Sequence, residues 1–220
     1  MKYCRSTIPS PSPTEAGPGC YYIGMNRPDN AAHILDPLAA LRAATNERHE
    51  RLDSGLPLSG PAPDVTDYAS HLTMVRDWLA PLLPWLDTFE DGPQRALPPV
   101  DRMALIEADL NEPGMPKRRA PAASDAWSRD ASAAYRWGVC YVIEGSQLGG
   151  KVLYGKLAGS LAPHPLRYLK GSDAGPGPRW RAFMLALREH VTSPDEIADA
   201  CAGACAAFDS ILTLSLDKKG

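Results

Sequence analysis

The chain has 220 residues, 44% of them hydrophobic and 22% charged, and its net charge is −3. This size and balance suit one globular domain with a sizeable core. With a pI near 5.9, no overall basic surface is present to attract nucleic acid. The absence of an uninterrupted run of about 18 apolar residues argues against a membrane span.

Residues 1–33 are rich in Pro, Ser and Gly and carry no apolar periodicity, which predicts a disordered extension ahead of a helical domain over 34–220. The extension lacks the apolar stretch of a signal peptide, and Met25 is a candidate initiator. The five cysteines form no Cys-x-x-Cys pair. Cys140, Cys201 and Cys205 fall in helical patterns, where a thiol acts as a small core hydrophobe. A reducing, cytoplasmic setting is expected.

From Asp36 the pattern becomes helical. Leu38, Leu41, Thr45, Leu52 and Leu56 mark one stripe, closed by Gly55 and Pro57. A second helix starts near Asp64 or Thr66 and carries Tyr68, Leu72, Val75, Leu79 and Leu82, with Pro81 and Pro84 expected to kink or end it. Residues 101–110 predict a short helix. Residues 124–158 predict the longest one, with Ser124 as N-cap, and a further helix is expected over 178–191. Ser193, Pro194 and Glu196 match a capping box with proline at the first helical position. The last helix is expected to bury Ile197, Cys201, Cys205, Phe208 and Leu212. Strand-like alternation is nearly absent, so the fold class is all-α.

His49 lies in LRAATNERHERLD. At ~100° per residue, Arg42, Thr45, His49, Leu52 and Asp53 project from one side of the helix, placing an imidazole within the core-facing stripe. Neutral imidazole suits iron. Asp53, one turn on, can orient the ring through its other nitrogen. Arg42, two turns earlier, can pair with an anionic group on the edge of a ligand. The bland alternative is a core histidine bonded to a carbonyl. His33, His71, His164 and His190 lack comparable company, and His71 reads as a boundary residue of the second helix.

The segment YRWGVCYVIEGSQLGGKVLYGKL places Gly138, Gly145 and Gly149 on one helical face. Each costs about 1 kcal/mol relative to alanine in a helix interior. Three explanations stand open: close approach to something flat, a kinked helix, or tight packing against another helix. GSQLGGK also has the spacing of a phosphate-binding loop, but Val152 stands where that loop needs Ser or Thr. The chain also lacks the alternating strands of a parallel-sheet nucleotide binder.

Taken together, ATNERHERLD and YVIEGSQLGGKVL resemble the bacterial heme oxygenases, especially those paired with bacteriophytochromes. The resemblance covers about Leu35 to Leu216. It implies a single-domain, multi-helix fold with heme between a proximal and a distal helix, His49 as the iron ligand, and Gly145 and Gly149 as the distal glycines. Arg42, Lys156 and, more weakly, Arg181 match candidate partners of the heme propionates, with Asp53 beside the ligand histidine. Ser146 stands where mammalian members carry an aspartate, which leaves the route of protons to oxygen open.

The reaction so implied is oxidative cleavage of heme to biliverdin, with release of iron and carbon monoxide. It uses O2 and an external electron donor of ferredoxin or flavoprotein type, since no flavin or nicotinamide motif is present. A bacteriophytochrome is the implied acceptor of biliverdin. Two rivals remain at this point. One is a heme carrier or sensor using His49 without turnover. The other is a relative on the same scaffold that binds non-heme iron or a thiamine-like molecule. None of the five histidines has Glu three residues before it, which argues against a carboxylate-rich iron site.

Overall fold

The computed structural model describes residues 36–117 and 127–216, all within the compact unit Ile34–Gly220. The extension expected over 1–33 and the expected cap Ser124 lie outside the described residues. Among the described residues there is no strand, and the fold is all-α.

Helix α1 (Pro37–Gly55) begins where Asp36 accepts a hydrogen bond from Leu38 N and proline takes the first helical position. Leu38, Leu41 and Thr45 are buried, as the stripe predicts. A 3-10 turn (Pro57–Ser59) follows. Helix α2 (Val65–Asp87) starts with a reciprocal capping box between Asp64 and Asp67. Of the two expected outcomes, a kink or an end, the end is excluded: Pro81 and Pro84 both lie inside the helix. Each interior proline costs about 3 kcal/mol. Burying one large apolar side chain contributes roughly 1.5–3 kcal/mol. Leu79, Leu82, Trp85 and Leu86 are all buried around the two prolines, so packing outweighs propensity.

Two four-residue helices, α3 (Pro93–Ala96) and α6 (Arg167–Lys170), are too short to leave a periodic signal in the sequence. Between them, α4 (Arg102–Leu110) is capped by Asp101, which accepts from Ala104 N at 2.9 Å. The longest helix, α5 (Ala133–Leu157), begins later than the expected Ser124. Its cap is Ser132, which accepts from Tyr135 N at 3.0 Å. Just upstream, Ser128 is held out of the helix by Trp85 Nε1, which donates to its carbonyl at 2.7 Å.

Helices α7 (Gly177–His190) and α8 (Pro194–Leu216) follow. The capping box at α8 forms as expected. Ser193 N and Thr192 N both donate to the Glu196 carboxylate at 2.9 Å, while Glu196 N donates to Ser193 Oγ at 3.2 Å. Of the positions expected to be buried on α8, Ile197, Phe208 and Leu212 are buried, and Cys201 and Cys205 are half-buried. By length and composition Pro194–Ser215 is long and apolar enough to cross a membrane, although polar residues interrupt its apolar run. Its buried stripe, which includes Ala200, Ala204 and Ala207, is used within the bundle, where α8 packs against α5 and α1.

The α5–α8 crossing is backbone on backbone. A Cβ on Gly138 would stand 1.8 Å from the Ala200 carbonyl oxygen, and one on Gly203 would stand 2.0 Å from the Tyr135 carbonyl oxygen. Helix packing therefore accounts for Gly138. A Cβ on Gly149 would meet nothing within 4 Å. Gly138→Ala is expected to destabilise by about 1–3 kcal/mol through overpacking, a fall in Tm of roughly 2–12 °C for a chain of this size. Gly149→Ala is expected to hold or raise the Tm of the ligand-free protein, since alanine is the better helix former. Thermal denaturation of both variants checks the contrast.

The cap also carries a pH dependence. Backbone N–H donors from Ser193 and Thr192 hold the Glu196 carboxyl down to about 2, against an ordinary 4.5. A depressed folded-state value means that the stabilisation is full above about 4.5 and is lost as pH falls toward about 2. The Tm difference between the wild type and Glu196→Gln should therefore narrow across that window.

Candidate ligand cavity between α1 and α5

A cavity of about 670 Å³ opens between α1 and α5, with α2 and α8 contributing further walls and Ser59, Tyr168 of α6 and Trp180 of α7 completing the lining. Its size lies within the range of small-molecule and cofactor sites. Of the residues singled out from sequence, it gathers Arg42, His49, Asp53, Gly145, Ser146, Gly149 and Lys156 into one lining. Arg181 is not among them: it is exposed on α7, beside Gly177.

His49 faces the cavity and not packed core, which corrects the expectation of a core-facing imidazole. Its side chain is 63% exposed, although one edge meets the Phe208 ring at 5.9 Å. The cause is local: beyond Thr45 the α1 stripe leaves the core and borders the cavity. Asp53 Oδ2 lies 3.1 Å from His49 Nδ1, on the next turn. That contact fixes the ring and leaves Nε2 as the nitrogen able to ligate.

Across the cavity, α5 presents Gly145, Ser146 and Gly149. These residues and the rest of 145–151 are continuously helical, so the phosphate-loop spacing forms no loop. A Cβ on Gly145 would make an ordinary 3.8 Å contact with the Trp180 ring. Neither Gly145 nor Gly149 is required by protein packing, unlike Gly138. Their shared effect is to leave the backbone of α5 bare toward the cavity.

Cations and phenols furnish the polar groups. Arg42 and Lys156 are exposed cavity residues on α1 and α5. Tyr141, one turn before Gly145, was missed from sequence although the i, i+4 spacing places it on the glycine face. Burial pushes its phenol up, opposed by the Arg42 guanidinium and by hydrogen bonding to Thr45. Its ring packs at 5.6 Å from Trp180. His71, expected at a boundary, is instead buried and lines the cavity from α2. Tyr168, on the unpredicted α6, also lines it.

Two buried carboxylates set the position of the α5 wall. Glu144, immediately before Gly145, is held by Arg102 Nη2 at 2.8 Å and by Arg179 through Nε at 2.8 Å and Nη2 at 2.9 Å. This ties α5 to α4 and α7. Asp109 on α4 accepts from Tyr68 Oη at 2.6 Å, Tyr168 N at 2.9 Å and Arg167 Nη1 at 3.2 Å, tying α4 to α2 and α6. An unpaired buried carboxylate is costly, so these clusters are satisfied or the helices shift. The sequence signal for Glu144 was one charged residue inside the apolar run YVIEGS.

Among the described residues no group of three or more His, Cys, Asp or Glu is placed to hold a metal ion.

No family model matches the chain. A curated protein named heme oxygenase, from Xanthomonas campestris pv. campestris (strain 8004), is 41% identical over 112 residues. The match covers 49% of this chain and 62% of that protein, less than two thirds of the relative's length. A crystal structure of the NO- and CO-bound heme oxygenase from Neisseria meningitidis matches with a TM-score of 0.59 at 22% identity. It covers 83% of this chain and 92% of that chain. The all-helical arrangement of this chain is therefore the fold of that heme oxygenase structure, and about half of the chain is similar in sequence to a curated heme oxygenase.

Proposed function

We propose that the chain is a heme oxygenase, cleaving heme oxidatively to biliverdin with release of iron and carbon monoxide. The observation that carries this reading is a pairing across one cavity. An imidazole braced by Asp53 lines it from α1, and a glycine backbone that no protein contact requires lines it from α5.

The residues present fit heme. His49 Nε2 supplies the one protein ligand that a macrocycle with its own four nitrogens needs. The bare backbone at Gly145 and Gly149 admits a flat ligand close to α5. Arg42, Tyr141 and Lys156 offer charge-assisted partners for propionates, with Arg181 a more distant candidate on α7. Bound there, heme supplies the iron that activates O2 and is also the molecule cleaved. The protein's own part is to brace the ligand imidazole, shield the porphyrin face with Phe208 and the α2 side chains, and hold one in-plane orientation. O2 as co-substrate, a ferredoxin- or flavoprotein-type reductase, a bacteriophytochrome as biliverdin acceptor and a cytoplasmic location complete the reading. They rest on the sequence resemblance.

The reading is tested at the ligand. In a hemin titration, His49→Ala should lose the histidine-ligated spectrum and turnover, while weak uptake persists through the apolar walls. Unchanged ligation and turnover in that variant, without added imidazole, would contradict the assignment.

Orientation is tested at Arg42. A charge-assisted contact contributes on the order of 1.5–3 kcal/mol, and each 1.4 kcal/mol or so changes a ratio of two orientations tenfold. Arg42→Ala is expected to broaden the biliverdin isomer mixture more than it weakens iron ligation. Chromatography of the isomers reads this, and an unchanged ratio would transfer the anchoring role to Lys156 and Tyr141.

A further inference from the structure

Beside the cavity glycines, three polar side chains form a hydrogen-bonded cluster. Ser146 Oγ donates to the Ile143 carbonyl at 2.8 Å, so its one hydrogen is engaged on its own helix. The Gln147 amide nitrogen donates to Tyr168 Oη at 3.0 Å and lies 3.4 Å from Ser146 Oγ. Its two hydrogens are directed to the phenol and the serine. The phenol of Tyr168 accepts from Gln147 and is also hydrogen-bonded to Ser146; with the serine hydrogen held by Ile143, the phenol hydrogen points to Ser146 Oγ, from which a better acceptor inside the cavity can draw it.

Tyr168 is 4% exposed and lines the cavity together with Ser146, Gly149 and Gly150. Its backbone is pinned, because Tyr168 N donates to the buried Asp109 at 2.9 Å and Arg167 Nη1 reaches the other oxygen of the same carboxylate. The α6 segment carrying it also contacts Gly150 through Leu169, 3.7 Å from where a Cβ would stand. Burial pushes the phenol up, so it stays protonated, a neutral donor through the working pH range.

We propose that Tyr168 is the hydrogen-bond donor of the α5 side of the cavity, reaching a diatomic ligand or a water held beside Gly145 and Gly149, with Asp109 as its positioning residue. The inference rests on the heme reading above and deepens it. Ser146 stands where an aspartate would carry charge, and its hydrogen is already engaged. The donor is supplied from α6 instead, by a residue distant in sequence from both recognised segments.

The test compares two diatomic probes in the hemin complex of the full chain. O2 bound to reduced heme accepts a hydrogen bond well, whereas CO accepts one poorly. Tyr168→Phe keeps the buried ring and the backbone contact to Asp109 and loses only the hydroxyl's hydrogen bonds, so its Tm should fall by no more than about 5 °C. In this variant O2 release is expected to be about fivefold faster, with CO release within about twofold. The C–O stretch of the CO complex should move to higher frequency, because the positive end of the O–H dipole has gone. Gln147→Ala, at a half-exposed position, keeps the test standing if the first variant misfolds. Loss of the amide that fixes the hydroxyl should move the O2-to-CO ratio the same way by about twofold.

Equal acceleration of O2 and CO release would mean that the phenol only shapes the cavity, and would overturn the inference. So would an unchanged ratio in both variants. Either result leaves histidine ligation intact and the heme reading standing, whereas a wild-type protein that takes up no hemin overturns both.

Discussion

Helix α8 sets the distance between α1 and α5, because it packs against both. On the α5 side the approach is as close as two helices allow: Gly138 lies on the Ala200 carbonyl, and Gly203 lies on the Tyr135 carbonyl. Any side chain at either glycine would force these backbones apart. Gly145 and Gly149 lie two and three turns further along the same helix, so a displaced α5 would displace them too. The crossing thus fixes where the bare stretch of α5 points, and α1 is placed opposite it by its own contact with α8.

Around that frame the buried charges act as struts. Glu144, with two guanidiniums, fixes α5 one residue before the cavity glycines, and Asp109 fixes the α6 segment that carries Tyr168. Such clusters are weak sources of net stability, because desolvation offsets much of their attraction. They are strong sources of position, since breaking one leaves an unpaired buried charge. The ligand-facing groups on α1 contrast with them. His49 and Asp53 are each 63% exposed at the side chain and braced mainly by each other. The α5 wall is therefore rigid and the α1 wall accommodating, an arrangement that suits seating a large flat ligand from the open side.

Much of this was legible in the sequence. The α8 start was readable because Ser193 and Glu196 cap by local hydrogen bonds that depend on nothing distant, and the α1 and α4 starts followed from where the helical pattern begins, at Asp36 and Asp101. The gathering of His49, Gly145, Gly149, Arg42 and Lys156 followed from resemblance joined to helical spacing. The failures share a cause, which is that tertiary packing decided them. Pro81 and Pro84 stay helical with buried side chains of α2 before and after them, and α5 starts at Ala133, behind the Ser132 cap, while Trp85 engages the Ser128 carbonyl upstream. Gly138 and Gly149 look alike in a helical projection, yet only the α8 backbone separates packing glycine from cavity glycine. Tyr168 and His71 had no local signal, since each reaches the cavity through contacts made far along the chain.

On the proposed heme reading, the cavity permits oxidative attack on a bound heme and does not merely hold it. The most direct measurement is the absorption spectrum of the wild-type hemin complex, reduced with ascorbate under air and followed over time. The account predicts loss of the Soret band, growth of a bilin absorption and release of carbon monoxide. A Soret band that persists through repeated reduction and aeration would contradict it, leaving a heme carrier or sensor built on the same fold.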